Sequence, residues 1–173
     1  MLRHLVRQYG FNLHFTKMLV GDLTPEQMCA QPAGVVNHAA WSLGHLVLSA
    51  DQLAQLVGLD SDLPDGYDAL FSAGSRPTED PPTYPSRDEL LAELERQHAR
   101  ALEAVERLDP EAWVQSHPEP SFRQYFPTLG DHITFLMTAH EMAHLGQIAA
   151  WRRALGLGSA TGVYGLDPIS WTG

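Results

Sequence analysis

Four stretches of this chain space their apolar residues at helical period, and none shows the sustained alternation of a half-buried strand. That pattern restricts the fold to packed helices. Leu2, Leu5, Val6, Tyr9, Leu13 and Leu19 fall broadly on one side of a first helix over residues 2–20, which Gly21 closes. Thr24-Pro25-Glu26-Gln27 supplies a cap, a proline at the first helical position and a glutamine at the third, predicting a short extra turn. A second long helix is predicted from Asn37, read as its N-cap, to Val57, before Gly58. Ser86-Arg87-Asp88-Glu89 is a capping box that opens a third helix over 86–107, with Leu90, Leu91, Leu94, Ala101, Leu102 and Val105 as its apolar stripe. The fourth is predicted as one continuous helix from Thr128 to Leu155, ended by Gly156 and Gly158.

Four amphipathic helices of this length predict an all-α four-helix bundle. Residues 59–85, rich in Pro, Gly, Asp and Ser, are too long for a hairpin turn. They predict a long crossover between helices two and three, which makes those two neighbours parallel. Tyr67, Leu70 and Phe71 should dock part of the crossover on the core, while the apolar content from Tyr67 to Phe71 also points to an interface or lid. One domain over 1–158 is expected, followed by a Gly-rich tail over 159–173.

A chain of 173 residues can bury a core without staples, and the lone Cys29 excludes an intrachain disulfide or a cysteine-rich metal site. Cys29 is read as a small packed residue rather than a nucleophile. A formal net charge of −10 argues against a nucleic-acid partner. Arg152-Arg153 reads as a helix C-terminal pair that complements the macrodipole. No apolar run approaches a membrane span, and Arg3, His4, Arg7 and Gln8 interrupt any secretory leader. A cytoplasmic protein with no membrane partner is expected.

The chemistry concentrates in His140-Glu141-Met142-Ala143-His144. Two imidazoles four residues apart lie one turn apart on the same helical face, where they can share one metal ion. In helix two, Asn37, Trp41 and His45 recur every four residues, with Leu48 and Gln52 close to the same stripe. His45 therefore points to the side where Trp41 packs, and is a candidate third ligand from a facing helix. His4, His14, His38, His98, His117 and His132 lack such context, with His132 and His14 as outside candidates for lining a pocket. The string His-Glu-x-x-His also matches a zincin protease, with Glu141 as general base. That reading fits poorly: no His or Glu follows His144, Ala150 stands where an extended motif needs His, and no strand is predicted to hold a peptide.

The motifs Asn37-x3-Trp41-x3-His45 and His140-x3-His144-x-Gly146-Gln147 resemble those of the DinB-like (DinB/YfiT) metal-binding four-helix-bundle superfamily. So do Leu70-Phe71-Ser72-Ala73-Gly74-Ser75-Arg76-Pro77 and Tyr84-Pro85-Ser86 in the middle, so the likeness extends to about Gly158. The resemblance implies a divalent metal, zinc or nickel, on His45, His140 and His144. It also implies a homodimer, and an activity related to thiol-dependent S-transferases and isomerases.

Three neutral ligands leave a coordination position open, as in catalytic zinc sites. The expected activity is transfer of a low-molecular-weight thiol to a small electrophile. The alternatives are a metal-dependent hydrolase and a non-catalytic metal-binding or dimeric interaction protein. Glu141 is the first candidate for proton transfer, against the alternative of a solvent-facing residue about 100° round the helix from His140. Gln147 shares the ligand face, Trp41 is a possible pocket wall, and Gly146 is expected to admit a close helix approach.

Overall fold

The computed structural model describes residues 2–158, and the tail expected over 159–173 lies outside the described residues. Its long helices are α1 (Leu2–Val20), α3 (Ala39–Leu56), α5 (Arg87–Glu106) and a composite fourth. The fourth consists of α6 (Leu129–Phe135), a π-turn (Leu136–His140) and α7 (Glu141–Ala154). Two short helices, α2 (Pro25–Cys29) and α4 (Tyr67–Phe71), decorate the connections. Among the described residues there is no strand, only an isolated bridge between Ser116 and Thr128.

Capping sets most of the boundaries. Thr24, Ser86 and Thr128 each accept a backbone N–H three residues on, while Gln27, Glu89 and Asp131 reach back to the cap residue's own N–H. Each such cap contributes on the order of 1 kcal/mol. Helix α3 departs from the sequence expectation. His38, not Asn37, is its N-cap, with ring Nδ1 accepting the Trp41 N–H at 3.1 Å while Nε2 bonds the Thr78 carbonyl at 3.0 Å. An imidazole can serve because its lone-pair nitrogen does what a cap oxygen does.

The register of side chains gives the topology. Leu90 and Leu94 share a cluster with Leu43 and Leu46, whereas Ala101 and Val105 pack with Leu53 and Ala54, so α3 and α5 run parallel. Asn12 reaches Glu141 and the Leu19 carbonyl accepts from Arg152, so α1 runs parallel to α7. Lys17 pairs with Glu95 and Tyr9 stacks on His98, so α1 and α5 are antiparallel. The crossover expected over 59–85 is thus present. It is pinned by Asp51, fully buried, which accepts from Arg100, Ser61 and the Asp62 backbone N–H.

The crossover's aromatic residues face inward. Tyr67 and Phe71 are buried, so they present no exposed interface or lid. A Cβ on Gly44 would lie 2.3 Å from the Phe71 ring. Glycine there lets α4 sit directly on α3. Gly146 has the opposite surroundings: among the described residues nothing outside its own helix and chain neighbours lies within 4 Å of the position its Cβ would take, so no described helix approaches there. Arg152 and Arg153 lie in the last turn of α7, and Arg152 is also buried and grips Asp22 and the Leu19 carbonyl. No helix among the described residues is long and apolar enough to cross a membrane.

Candidate metal centre

Helix α3 brings His45 to the centre with its orientation fixed. The Phe71 carbonyl lies 2.9 Å from His45 Nδ1. A carbonyl only accepts, so Nδ1 carries the proton and Nε2 keeps its lone pair. Trp41, one turn earlier, stacks on the His45 ring at 4.9 Å and 8°. Trp41 is itself held, since its Nε1 donates to Ser75 Oγ at 2.7 Å and Ser75 donates to the Leu70 carbonyl. The crossover therefore positions a ligand as well as connecting two helices.

The composite helix supplies the other two rings. A π-turn widens the backbone by one residue and leaves carbonyls without their usual partners. Asn12 on α1 compensates, donating to the Met137 carbonyl at 3.2 Å and to Glu141 Oε2 at 3.0 Å. The break in the fourth helix ends at His140, and so sets the phase of everything after it. His140 faces α3, with its ring 5.4 Å from that of His45. His144, one α-turn on, lies 4.7 Å from the His45 ring and 4.8 Å from His140.

Ring nitrogens of His45, His140 and His144 all lie within 4.8 Å of one another. The Nδ1 atoms of His140 and His144 are sealed from solvent and have no hydrogen-bond partner among the described residues. An unsatisfied buried polar atom costs about 1–3 kcal/mol, a penalty native structures rarely tolerate without a reason. Burial, reinforced by the neighbouring His45, holds the His140 and His144 pKa values down at about 4. Burial also lowers that of His45, opposed by the Phe71 carbonyl. At neutral pH the cluster is three uncharged imidazoles with free lone pairs, a donor set compatible with a divalent metal.

Glu141, the residue after a ligand candidate, points elsewhere. It is 3 % exposed, so it is not the solvent-facing residue weighed from the sequence. Its Oε1 accepts from His98 Nε2 at 2.5 Å, its Oε2 accepts from Asn12, and Tyr9 stacks on His98 at 3.8 Å. The structure gathers His45, His140 and His144 and sets Glu141 in a separate interior network. Helical spacing carried a signal for His98, which follows Leu94 by four residues on the α5 stripe.

The family model described as DinB superfamily matches residues 10–148. The chain belongs to the DinB superfamily. No curated protein and no solved structure gives a significant match. The matched span includes all three clustered histidines of this DinB-superfamily protein.

Cys29 is buried, and desolvation pushes its thiol up to about 11, with Asp80 and Glu26 adding to the shift. It is therefore a packed residue with no thiolate to offer at neutral pH. A second histidine pair, absent from the sequence reading, joins His117 to His132, with Nε2 and Nδ1 at 2.9 Å. Phe126 stacks on His132 at 4.3 Å and contacts Phe135, whose ring lies 5.6 Å from that of His140. From sequence, His132 is only an outside candidate for lining a pocket. No period links a loop residue to a helix residue fifteen positions away, so the sequence held no signal for the pair.

Proposed function

We propose that His45, His140 and His144 hold one divalent ion, zinc or nickel, and that the protein transfers a low-molecular-weight thiol to a small electrophile. The observation that carries the metal is the pair of buried, unpartnered Nδ1 atoms within a cluster of neutral imidazoles. An ion bound by three protein ligands, with a position left open, lowers the pKa of a thiol or water reaching it and so provides a nucleophile at neutral pH. The chain's own residues orient and shield. Phe71 and Trp41 fix the His45 ring, Asn12 holds the π-turn that aims His140, and Phe135 walls one side. Glu141 spends both oxygens on His98 and Asn12, so this reading gives it a positioning role in place of proton transfer.

The test is metal content of the purified protein together with consumption of an activated electrophile, with and without added thiol. Metal-loaded protein is expected to react faster with thiol, and His140→Ala to abolish the difference. Turnover indifferent to thiol moves the assignment to a hydrolase. Bound metal with neither activity favours a non-catalytic metal-binding protein. Homodimer formation is a separate proposal supported by the family resemblance, and sedimentation showing only monomer at high micromolar concentration would remove it.

A further inference from the structure

The buried pair His117 and His132, 2 % and 4 % exposed, lies outside the metal centre and borders a groove of about 560 Å³. Backbone groups decide which nitrogens carry protons. The Glu119 N–H donates to His117 Nδ1 at 3.1 Å and has no other acceptor among the described residues. The Glu119 carbonyl, equally near that nitrogen, already accepts from the Phe122 N–H. His117 Nδ1 is therefore the acceptor, and the proton sits on Nε2. That Nε2–H donates to His132 Nδ1, which leaves the neutral His132 with its proton on Nε2. His132 Nε2 has no protein partner among the described residues and is not sealed from solvent. A buried ring is thus locked to present one N–H donor at the groove.

The surroundings narrow what would accept that bond. Leu56, Pro118 and Phe122 give the groove an apolar wall, and Gln52 adds a neutral polar group. Its charged lining residue is Glu119, a carboxylate, with the Arg123 guanidinium beside it donating to the His117 carbonyl. Burial, and next the neighbouring His117, hold His132 down at about 4, so it offers a dipole and no positive charge at neutral pH. The groove volume suits a small molecule. Gln52 follows His45 by seven residues on the continuous helix α3, placing the groove on the His45 face roughly 10 Å along the axis. Phe126 and Phe135 bridge His132 to His140.

We propose that this groove binds a small neutral carbonyl compound, its oxygen accepting from His132 Nε2–H and its apolar part lying on Phe122 and Leu56. The binding does not depend on the thiol-transfer reading. The test titrates the metal-loaded full chain, with no thiol present, using benzylideneacetone as the neutral enone. β-Methylstyrene lacks the oxygen, and cinnamate carries a charge in its place. The enone should bind about tenfold more tightly than either, the worth of one satisfied hydrogen bond. His132→Phe should erase that preference while leaving β-methylstyrene binding unchanged.

Equal affinity for all three compounds, or tighter binding of cinnamate, overturns the proposal. Enone binding that survives in His132→Phe but is lost in His140→Ala would put the carbonyl at the metal centre and also overturn it. Long-range ¹H–¹⁵N spectra of the unsubstituted protein give a check that needs no variant. They should find the His132 proton on Nε2, and a proton on Nδ1 refutes the donor assignment. With no thiol in any sample, a failure of the transferase reading leaves these outcomes intact.

Discussion

His140 and Glu141 are neighbours in sequence, yet they serve two regions governed by opposite rules. On the His140 side, three imidazoles converge and two ring nitrogens are buried with no partner. On the Glu141 side, both carboxylate oxygens are bonded, His98 and Asn12 converge on them, and Tyr9 covers His98. The first region leaves polar capacity unused inside the protein, which makes it a place for something from outside. In the second, the Tyr9 hydroxyl is left unpaired among the described residues but the carboxylate spends both oxygens on the chain itself, which makes Glu141 architecture. The π-turn lets one helix serve both, and Asn12 ties the regions together by holding the turn and the carboxylate at once.

The sharpest way to break this contrast is to disturb the satisfied side. Glu141→Ala leaves the His98 and Asn12 donors facing each other without an acceptor. Loss of about 1–3 kcal/mol for each buried donor left unsatisfied is expected from urea unfolding. Glu141→Gln, which keeps an acceptor, should lose markedly less. A change below about 1 kcal/mol for Glu141→Ala would mean that the interior network is not structural.

The unsatisfied side should respond the other way. In His140→Ala or His144→Ala, the metal-free protein should stay within about 1 kcal/mol of its parent, because the ring removed carries an unpaired nitrogen. Bound metal should fall by well over 100-fold, more than loss of an outer-shell contact produces. Elemental analysis and a chelator competition check the metal, and urea unfolding checks the stability. Substantial destabilisation with metal retained would merge the two regions into one structural core.

Gly44→Ala probes the joint between crossover and centre. The new methyl meets the Phe71 ring, so α4 must shift, at about 1–3 kcal/mol for overpacking. The shift moves the Phe71 carbonyl that fixes the His45 tautomer, and metal affinity should drop roughly tenfold. Lost stability with unchanged metal affinity would show that Phe71 packs on α3 without orienting the ligand.

What the sequence made legible divides along the same line. The helices, the capping boxes at Thr24, Ser86 and Thr128, and the candidate triad are matters of local spacing, which residue order records directly. The crossover and its parallel consequence follow from length alone. The interior network joins Asn12, His98 and Glu141 from three helices, and no local period encodes such a meeting. The π-turn has no composition of its own; it is visible only through the carbonyls that Asn12 takes up. Gly44 and Gly146 look alike as mid-helix glycines, and only packing separates the one that is needed from the one that touches nothing.

The smallest expected effect lies further along the same helix, where a buried cation meets an exposed carboxylate. Arg152 is buried and grips Asp22, whose side chain is 62 % exposed. The Arg152 guanidinium holds the Asp22 carboxyl below its ordinary 3.8. Solvent screens that carboxylate, so Asp22→Asn, which keeps an oxygen to accept from Arg152, should lose no more than about 1 kcal/mol at neutral pH. A carboxyl with a lowered folded pKa stabilises above its unfolded value and loses that contribution as pH falls through the folded one. Parent and variant should therefore differ above about pH 4 and converge in more acidic solution, and added salt should shrink the gap. A gap as large as that of Glu141→Ala, or one that persists in acid, would show that burial of the arginine, and not the exposure of its partner, sets the strength of the pair.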